Sequence, residues 1–325
     1  KVVMHGNAKD ARELGEALDA LVGLVVLDSL DEIALLDRLA GERGRTQDVL
    51  VRVTPGVKPS THAYISTGQL DSKFGFSMEG GQAAAAVAAA RAAANLNLVG
   101  LHCHIGSQIF EIGAYRMAAQ LLAAFAKEQG ADDLQIMDMG GGLGIAYTRD
   151  DEPPSVEAFA DMVMDSVHEE WDAQGLPRPR VMVEPGRSIV GRAGLTVYRV
   201  ATTKDIPDVR RYVAVDGGMS DLLRPMLYGA TYEAILPDRP AAEGLEQVRI
   251  VGKHCESGDV LIQEADLPPL NPGDLVCLPA TGAYGVAMAS NYNGVTRPAV
   301  VFVDGGQATL AVRRESYEDL VARDL

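Results

Sequence analysis

The chain has 325 residues, 47% of them hydrophobic and 23% charged. At about 150 residues per domain that is two domains or one large barrel, and it excludes a disordered or low-complexity protein. A formal net charge of −16 argues against a nucleic-acid partner, which needs a basic face, and no apolar run reaches the roughly 18 residues of a membrane span.

The first 190 residues alternate short apolar runs with helical periodicity. Strands are expected at Val2–Met4, Gly23–Leu27, Val49–Val53, Leu98–His102, Leu134–Met139 and Val181–Glu184. Helices are expected between them at Ala11–Leu21, Asp31–Leu39, Gln82–Ala94, Ala114–Glu128 and Val156–Trp171. Such alternation implies parallel strands with crossover helices. Polar and glycine residues gather just after these strands, where a barrel or an open doubly wound sheet places its site. Six strands are two short of a closed (β/α)8 barrel. From about Gly194 the pattern becomes short β-rich stretches, Leu195–Ala201, Arg211–Val215, Val248–Val251, Asp274–Leu278 and Ala299–Val303, broken by Gly, Pro and Asp. That texture predicts a separate all-β domain, a small barrel or sandwich. Cys103, Cys255 and Cys277 form neither a paired framework nor a zinc spacing, so a reducing cytoplasm is the expected compartment.

Several motifs carry chemistry. Asp138-Met-Gly-Gly-Gly-Leu-Gly144 lets backbone amides approach an anion such as phosphate, or is a sharp turn that needs positive φ. It matches neither the dinucleotide fingerprint nor a P-loop. His102-Cys-His104 could seed a metal site with His5 and Glu184, but nothing further has ligand spacing. The preferred reading is a structural His102, a functional His104 and no metal. Glu184-Pro185-Gly186-Arg187 pairs a carboxylate, suited to a protonated heterocyclic nitrogen, with a guanidinium suited to an anion. Lys253-His-Cys-Glu-Ser-Gly-Asp259 sets the Cys255 thiol among charges, as reactive thiols are. Arg224-Pro-Met-Leu-Tyr228 and Thr281–Asn293, singly, read as turns. His62 and His168 are expected at exposed positions without a role.

In this order the segments resemble the fold-type III pyridoxal-phosphate decarboxylases, most closely the diaminopimelate decarboxylases. The matching stretches are His5-Gly-Asn-Ala-Lys9, Ser72-Lys-Phe-Gly75, His102–Gln108, Gly140–Gly142, Glu184–Arg187, Val215–Gly218, Arg224–Tyr228, Cys255–Asp259, Gly282–Asn293 and Glu315–Leu320. The resemblance implies a TIM (β/α)8-type barrel, here with about six strands over 1–192, followed by an all-β Greek-key-like barrel or sandwich over 193–325. It implies pyridoxal 5'-phosphate as cofactor and conversion of meso-2,6-diaminopimelate to L-lysine and carbon dioxide.

Residue by residue, the resemblance puts His104 on the pyridine ring. Ser107, the amides of Gly140, Gly141 and Gly142 and the turn Glu184, Pro185, Gly186 and Arg187 would hold the phosphate region. Glu184 would face the ring nitrogen, and Tyr284 would touch cofactor or substrate. Arg187, Arg224 and Tyr228 would grip the distal carboxylate of the substrate and Glu256 its distal ammonium. Cys255 would deliver the proton after carbon dioxide leaves, from the neighbouring subunit of a homodimer.

The chain departs from the family in one respect. The lysine that bonds the cofactor lies upstream of the His5-Gly-Asn segment in the family, and Lys1, Lys9, Lys58, Lys73, Lys127, Lys204 and Lys253 do not occupy its place. With six strands in place of eight, this predicts a chain lacking two βα units, inactive by itself and prone to aggregate through open sheet edges. The alternatives are a related ornithine, arginine or carboxynorspermidine decarboxylase, a lysine-less homologue without turnover, and a metal hydrolase.

Overall fold

A computed structural model describes residues 2–57, 72–239 and 244–325. The chain folds as two compact units, Lys1–Gly144 with Glu152–Pro185, and Ile145–Asp151 with Gly186–Leu325.

The first unit runs β1 (Val3–Met4), α1 (Ala11–Asp19), β2 (Leu24–Leu27), α2 (Leu30–Glu42), β3 (Gln47–Thr54), β4 (Phe76–Ser77), α3 (Gln82–Ala92), β5 (Leu96–His102), α4 (Gly113–Glu128), β6 (Ile136–Asp138), α5 (Val156–Ala173) and β7 (Arg180–Met182). All six expected strands form, in the order β1-β2-β3-β5-β6-β7 and parallel throughout, an incomplete TIM-type barrel; β4 adds to the end of β3. The strands alternate between two apolar layers. Val25 and Leu27 of β2 and Val49 and Val51 of β3 join the large core with the helices, while Leu24, Val26 and Leu50 face the other side. Helix starts follow local chemistry: Asp10 and Glu13 form a capping box on α1, and Ser29 and Ser155 cap α2 and α5. The alanine run forms α3, burying Ala83, Ala86, Val87 and Ala90. At Gly100 the strands come so close that a Cβ would lie 2.1 Å from the Ile136 carbonyl oxygen.

The second unit comprises α6 (Arg187–Val190), β8 (Leu195–Ile206), β9 (Arg210–Val215), α7 (Arg224–Tyr228), β10 (Glu246–Val251), β11 (Val260–Leu267), β12 (Leu275–Pro279), α8 (Gly285–Met288), β13 (Val300–Asp304), β14 (Gln307–Val312) and α9 (Tyr317–Leu320). Its main sheet has the order β11-β10-β9-β8-β12, antiparallel except for the parallel β9–β10 pair, and β13–β14 is a separate hairpin. Val213, Val215, Ile250, Leu261 and Val276 centre its core, which Ile145 and Tyr147 join.

Sequence periodicity misses β4, β11 and β14. β4 is two residues long, β11 carries Glu264 and Asp266 in place of an apolar alternation, and β14, whose Ala308, Leu310 and Val312 do alternate, is exposed along its whole length. His168 is corrected: it sits half-buried on α5, at the border of the buried face, one turn before the buried Trp171 and among the exposed Met164, Asp165 and Asp172. The expectations for Lys1, Lys58 and His62 lie outside the described residues. Lys9 is buried in an ion pair with Glu32 at 2.8 Å and donates to the Val26 carbonyl at 2.9 Å, so it ties the first βα units together.

Candidate active site

The carboxyl ends of the barrel strands gather the polar residues. Asp28, after β2, accepts the Gly75 amide at 2.9 Å and pairs with Arg52 at 3.8 Å. The Arg52 guanidinium lies 4.7 Å from the Phe74 ring centroid. The Ser72-Lys-Phe-Gly75 motif is thereby fastened to the ends of β2 and β3, with Gly75 at φ +69° where a Cβ would lie 2.9 Å from the Arg52 carbonyl.

Glu184 follows β7 and is flanked by two imidazoles: His5 Nε2 pairs with its Oε1, and His102 Nε2 lies 3.4 Å from its Oε2. Burial pushes His102 down to about 4, so it is neutral and donates through Nε2–H, leaving its buried Nδ1 without a partner among the described residues. Burial alone would raise the Glu184 carboxyl, but hydrogen bonds and charge from His102 and His5 hold it below the usual carboxylate range. His104 is likewise pushed down to about 4, by burial first and then by Arg52. Asp138 goes the other way: complete burial and the neighbouring Glu184 push it up to about 7. The buried His102 thus supports the candidate carboxylate. His5, His102 and Glu184 offer donor atoms within 4.8 Å of one another, the only such group among the described residues. Both imidazoles are turned onto the carboxylate.

The glycine loop after β6 is built for close backbone approach. A Cβ at Gly140, Gly141 or Gly142 would lie 2.5, 2.3 or 2.3 Å from the carbonyl oxygens of Cys103, Glu184 and Gly106 respectively. Asp138 Oδ1 accepts the Gly140 amide at 2.9 Å, Tyr115 Oη donates to the Gly141 carbonyl at 2.9 Å, and the Ile109 amide donates to the Gly142 carbonyl at 2.8 Å. Among the described residues the Gly141 and Gly142 amides donate to no acceptor. Free amides in a glycine cradle suit a phosphate, and an ionised carboxylate held by two imidazoles suits a protonated ring nitrogen. The barrel unit thus fits pyridoxal phosphate. Ser107 and His104 lie half-buried in the loop after β5.

In the second unit, two buried guanidiniums share one tyrosine. Arg187 and Arg224 lie 5.6 and 4.5 Å from the Tyr147 ring centroid, and both face the Tyr284 ring, at 4.8 and 6.0 Å. Arg187 donates to Tyr147 Oη, and Arg224 donates to Tyr232 Oη at 2.5 Å. Arg224 has no ion pair with a described carboxylate. Tyr228 closes α7, half exposed and outside this stack. Cys255 and Glu256 lie exposed between β10 and β11, whereas Cys103 and Cys277 are buried.

The sequence reading missed Tyr115, Asp138, Tyr147 and Tyr232. Tyr115 shows only as an apolar position of α4. Asp138 begins the glycine motif and could have been suspected there. Tyr147 follows that motif by a few residues, yet it folds with the other unit, and no local pattern announces this.

Residues 1–191 match the family model for the pyridoxal-binding domain of pyridoxal-dependent decarboxylases. The chain is 47% identical to the diaminopimelate decarboxylase of Bacillus subtilis, covering all of this chain and 75% of that protein, and 47% identical to that of Mycobacterium leprae, covering 71% of it. Among solved structures, diaminopimelate decarboxylase from M. jannaschii in complex with L-lysine superposes with a TM-score of 0.92 at 35% identity, covering all of this chain and 74% of that one. The Helicobacter pylori enzyme with L-lysine superposes at 0.88, with 32% identity and coverage of 98% and 77%. Strand order, glycine loop and these matches define a fold-type III pyridoxal-phosphate-dependent decarboxylase. Within that class, the chain belongs to the diaminopimelate decarboxylase family.

Proposed function

We propose that this protein decarboxylates meso-2,6-diaminopimelate to L-lysine and carbon dioxide. The observation that carries the reading is the buried Arg224, held by Tyr147 and Tyr232 and paired with no described carboxylate. A buried guanidinium without a counter-charge is costly unless a ligand anion completes it, and a second carboxylate is what diaminopimelate has and ornithine or arginine lack. The family membership and the L-lysine bound in two similar structures support the same substrate class.

Bound pyridoxal phosphate would supply the electron sink for the pair released by the breaking carbon–carbon bond. The cofactor-bonding lysine of the family is not among this chain's residues; those present divide the remaining work. Gly140–Gly142, Ser107 and the Glu184–Arg187 turn would hold the phosphate region, His104 would cover the ring face, and Glu184 would hold the proton on the ring nitrogen. Arg187, Arg224 and Tyr228 would bind the distal carboxylate and Glu256 the distal ammonium, with Tyr284 alongside. Cys255 would give its thiol proton to the carbon that lost carbon dioxide. These sites reject analogues lacking either distal charge, because their own groups would be left unpaired.

Carbon dioxide release from meso-diaminopimelate, lysine, ornithine and arginine tests this, measured on the pyridoxal-phosphate-loaded protein with a family segment bearing the cofactor-bonding lysine joined ahead of residue 1. Release from diaminopimelate alone is expected; equal release from ornithine or arginine would sink the substrate assignment. We also propose a cytoplasmic homodimer in which Cys255 serves the partner's site. Three free thiols, with no membrane-crossing helix among the described residues, suit that compartment. Sedimentation at twice the chain mass is expected, and mixing Cys255→Ser with Glu184→Gln subunits should restore part of the activity.

A further inference from the structure

The loop that presents Cys255 and Glu256 rests on a buried pair that the reaction itself does not use. Asp259 and His254 have side chains almost wholly shielded from solvent, at 1% and 0% exposure. Asp259 Oδ2 accepts the His254 amide at 3.0 Å and the His254 Nδ1 at 2.8 Å, and its Oδ1 accepts the Met219 amide at 2.8 Å. A carboxylate here can only accept, so Nδ1 carries the hydrogen. The Gly252 amide donates to the Asp259 carbonyl at 2.9 Å, the Asp259 amide donates to Glu256 at 3.1 Å, and Lys253 donates to Gly217 at 3.0 Å. The loop is thus closed at its base and fastened to the Gly217–Met219 turn.

Neighbouring glycines make room for this carboxylate. A Cβ at Gly252 would lie 2.1 Å from Asp259 Oδ2, and one at Gly218, at φ +155°, would lie 2.5 Å from it. The Tyr292 ring stacks on the His254 imidazole, centroids 6.0 Å apart and planes 9° from parallel. Tyr292 Oη donates to the Glu256 carboxylate. One buried imidazole therefore bears, through the chain, on the residues that display the thiol and, through Tyr292, on the carboxylate beside it.

We propose that the His254–Asp259 pair, with Tyr292 as a strut, is the positioning device that sets Cys255 and Glu256 for the reaction. This rests on the reading that those two residues meet the substrate. His254 touches neither substrate nor cofactor. It works by denying its loop alternative conformations, and an aligned group loses much of its effect when displaced by about 1 Å.

The test uses the same lysine-completed, pyridoxal-phosphate-loaded protein and two readouts: steady-state kinetics with diaminopimelate, and the rate at which iodoacetamide alkylates Cys255 under native conditions. Cys103 and Cys277 are buried and stay silent in the second. His254→Ala is expected to raise the alkylation rate about fivefold and to lower kcat/KM about tenfold, mostly through KM. His254→Asn returns an N–H near the Nδ1 position, and both values should recover to within about twofold of the parent. Tyr292→Phe removes one hydroxyl at an exposed ring and should raise KM about fivefold while leaving the alkylation rate unchanged. A folded His254→Ala enzyme within about twofold of the parent in both readouts would overturn the proposal. Equal losses in the Ala and Asn variants, tracking their melting temperatures, would reduce the pair to a structural role and overturn it too. Should His254→Ala not fold, Tyr292→Phe decides: an unchanged KM overturns the proposal. If the parent enzyme releases no carbon dioxide from diaminopimelate, the functional reading fails alone, and the alkylation rates still decide whether the pair fixes the loop.

Discussion

The guanidinium of Arg224 lies 4.5 Å from the ring centroid of Tyr147, and the same ring carries Arg187 at 5.6 Å. Two buried like charges share one aromatic platform, and Tyr232 meets that platform edge-on at 5.2 Å and 81°. The ring faces offset part of the repulsion between the guanidiniums, and an anion bound at Arg224 would offset more. Tyr147 is thereby the residue that keeps two arginines aimed as a pair.

Tyr147→Ala should raise KM for diaminopimelate by about tenfold or more, with a smaller fall in kcat, because it removes binding that substrate and transition state share. Tyr147→Phe keeps the ring and loses only the hydroxyl that accepts from Arg187, so its KM should rise about threefold. Steady-state kinetics on both variants check the order. A Phe variant as damaged as the Ala variant would mean the hydroxyl, not the ring, does the positioning.

Glu184 sits between His5 and His102 with its carboxyl held low. Glu184→Gln keeps the shape and loses the charge that would hold a proton on the ring nitrogen. The expected result is a kcat lower by about a hundredfold or more, with cofactor still bound, since an amide cannot favour the protonated ring. Cofactor absorbance in the variant, read beside its turnover, separates lost chemistry from lost binding.

Asp138 gives a pH-dependent stability term. Its folded-state value of about 7 lies above the ordinary 3.8 because burial and then the Glu184 charge disfavour the anion. The folded protein therefore keeps a proton that the unfolded chain gives up, and this contribution is full below about 4 and is lost as pH rises through about 7. Asp138→Asn retains an oxygen to accept from Gly140 and removes the charge. Its melting temperature should exceed the parent's by about 2–4 °C at pH 8 and match it at pH 4. A difference of the opposite sign at pH 8 would show that the carboxylate is stabilised as an anion instead.

Gly100→Ala tests the strand packing beneath the site. The new methyl would stand 2.1 Å from the Ile136 carbonyl oxygen, a backbone atom that cannot swing aside. Forcing β5 from β6 should cost about 3 kcal/mol in denaturant unfolding. A loss below about 1 kcal/mol would mean the two strands separate easily.

Periodicity was enough to place the six barrel strands, the helices and the change to a β-rich second unit, because burial on one or two faces writes period 2 or 3.6 into the chain. The motifs His102–Gln108, Gly140–Gly142 and Glu184–Arg187 were visible as polar residues just past strand ends, and their order carried the family. β11, without alternation, left no such trace, and the alternation in the exposed β14 marks no buried face. Nor did sequence reveal that His102 and His5 turn onto Glu184, that Tyr115 supports the glycine loop, or that Tyr147 folds into the second unit and holds two arginines of that same unit. Length bounded the chain to two domains or one large barrel, and two compact units form. Local spacing fixes which residues share a face, but which distant side chains meet depends on how the sheets close and pack. The shifts at His102, Glu184 and Asp138 arise from burial and charge that exist only once the chain has folded.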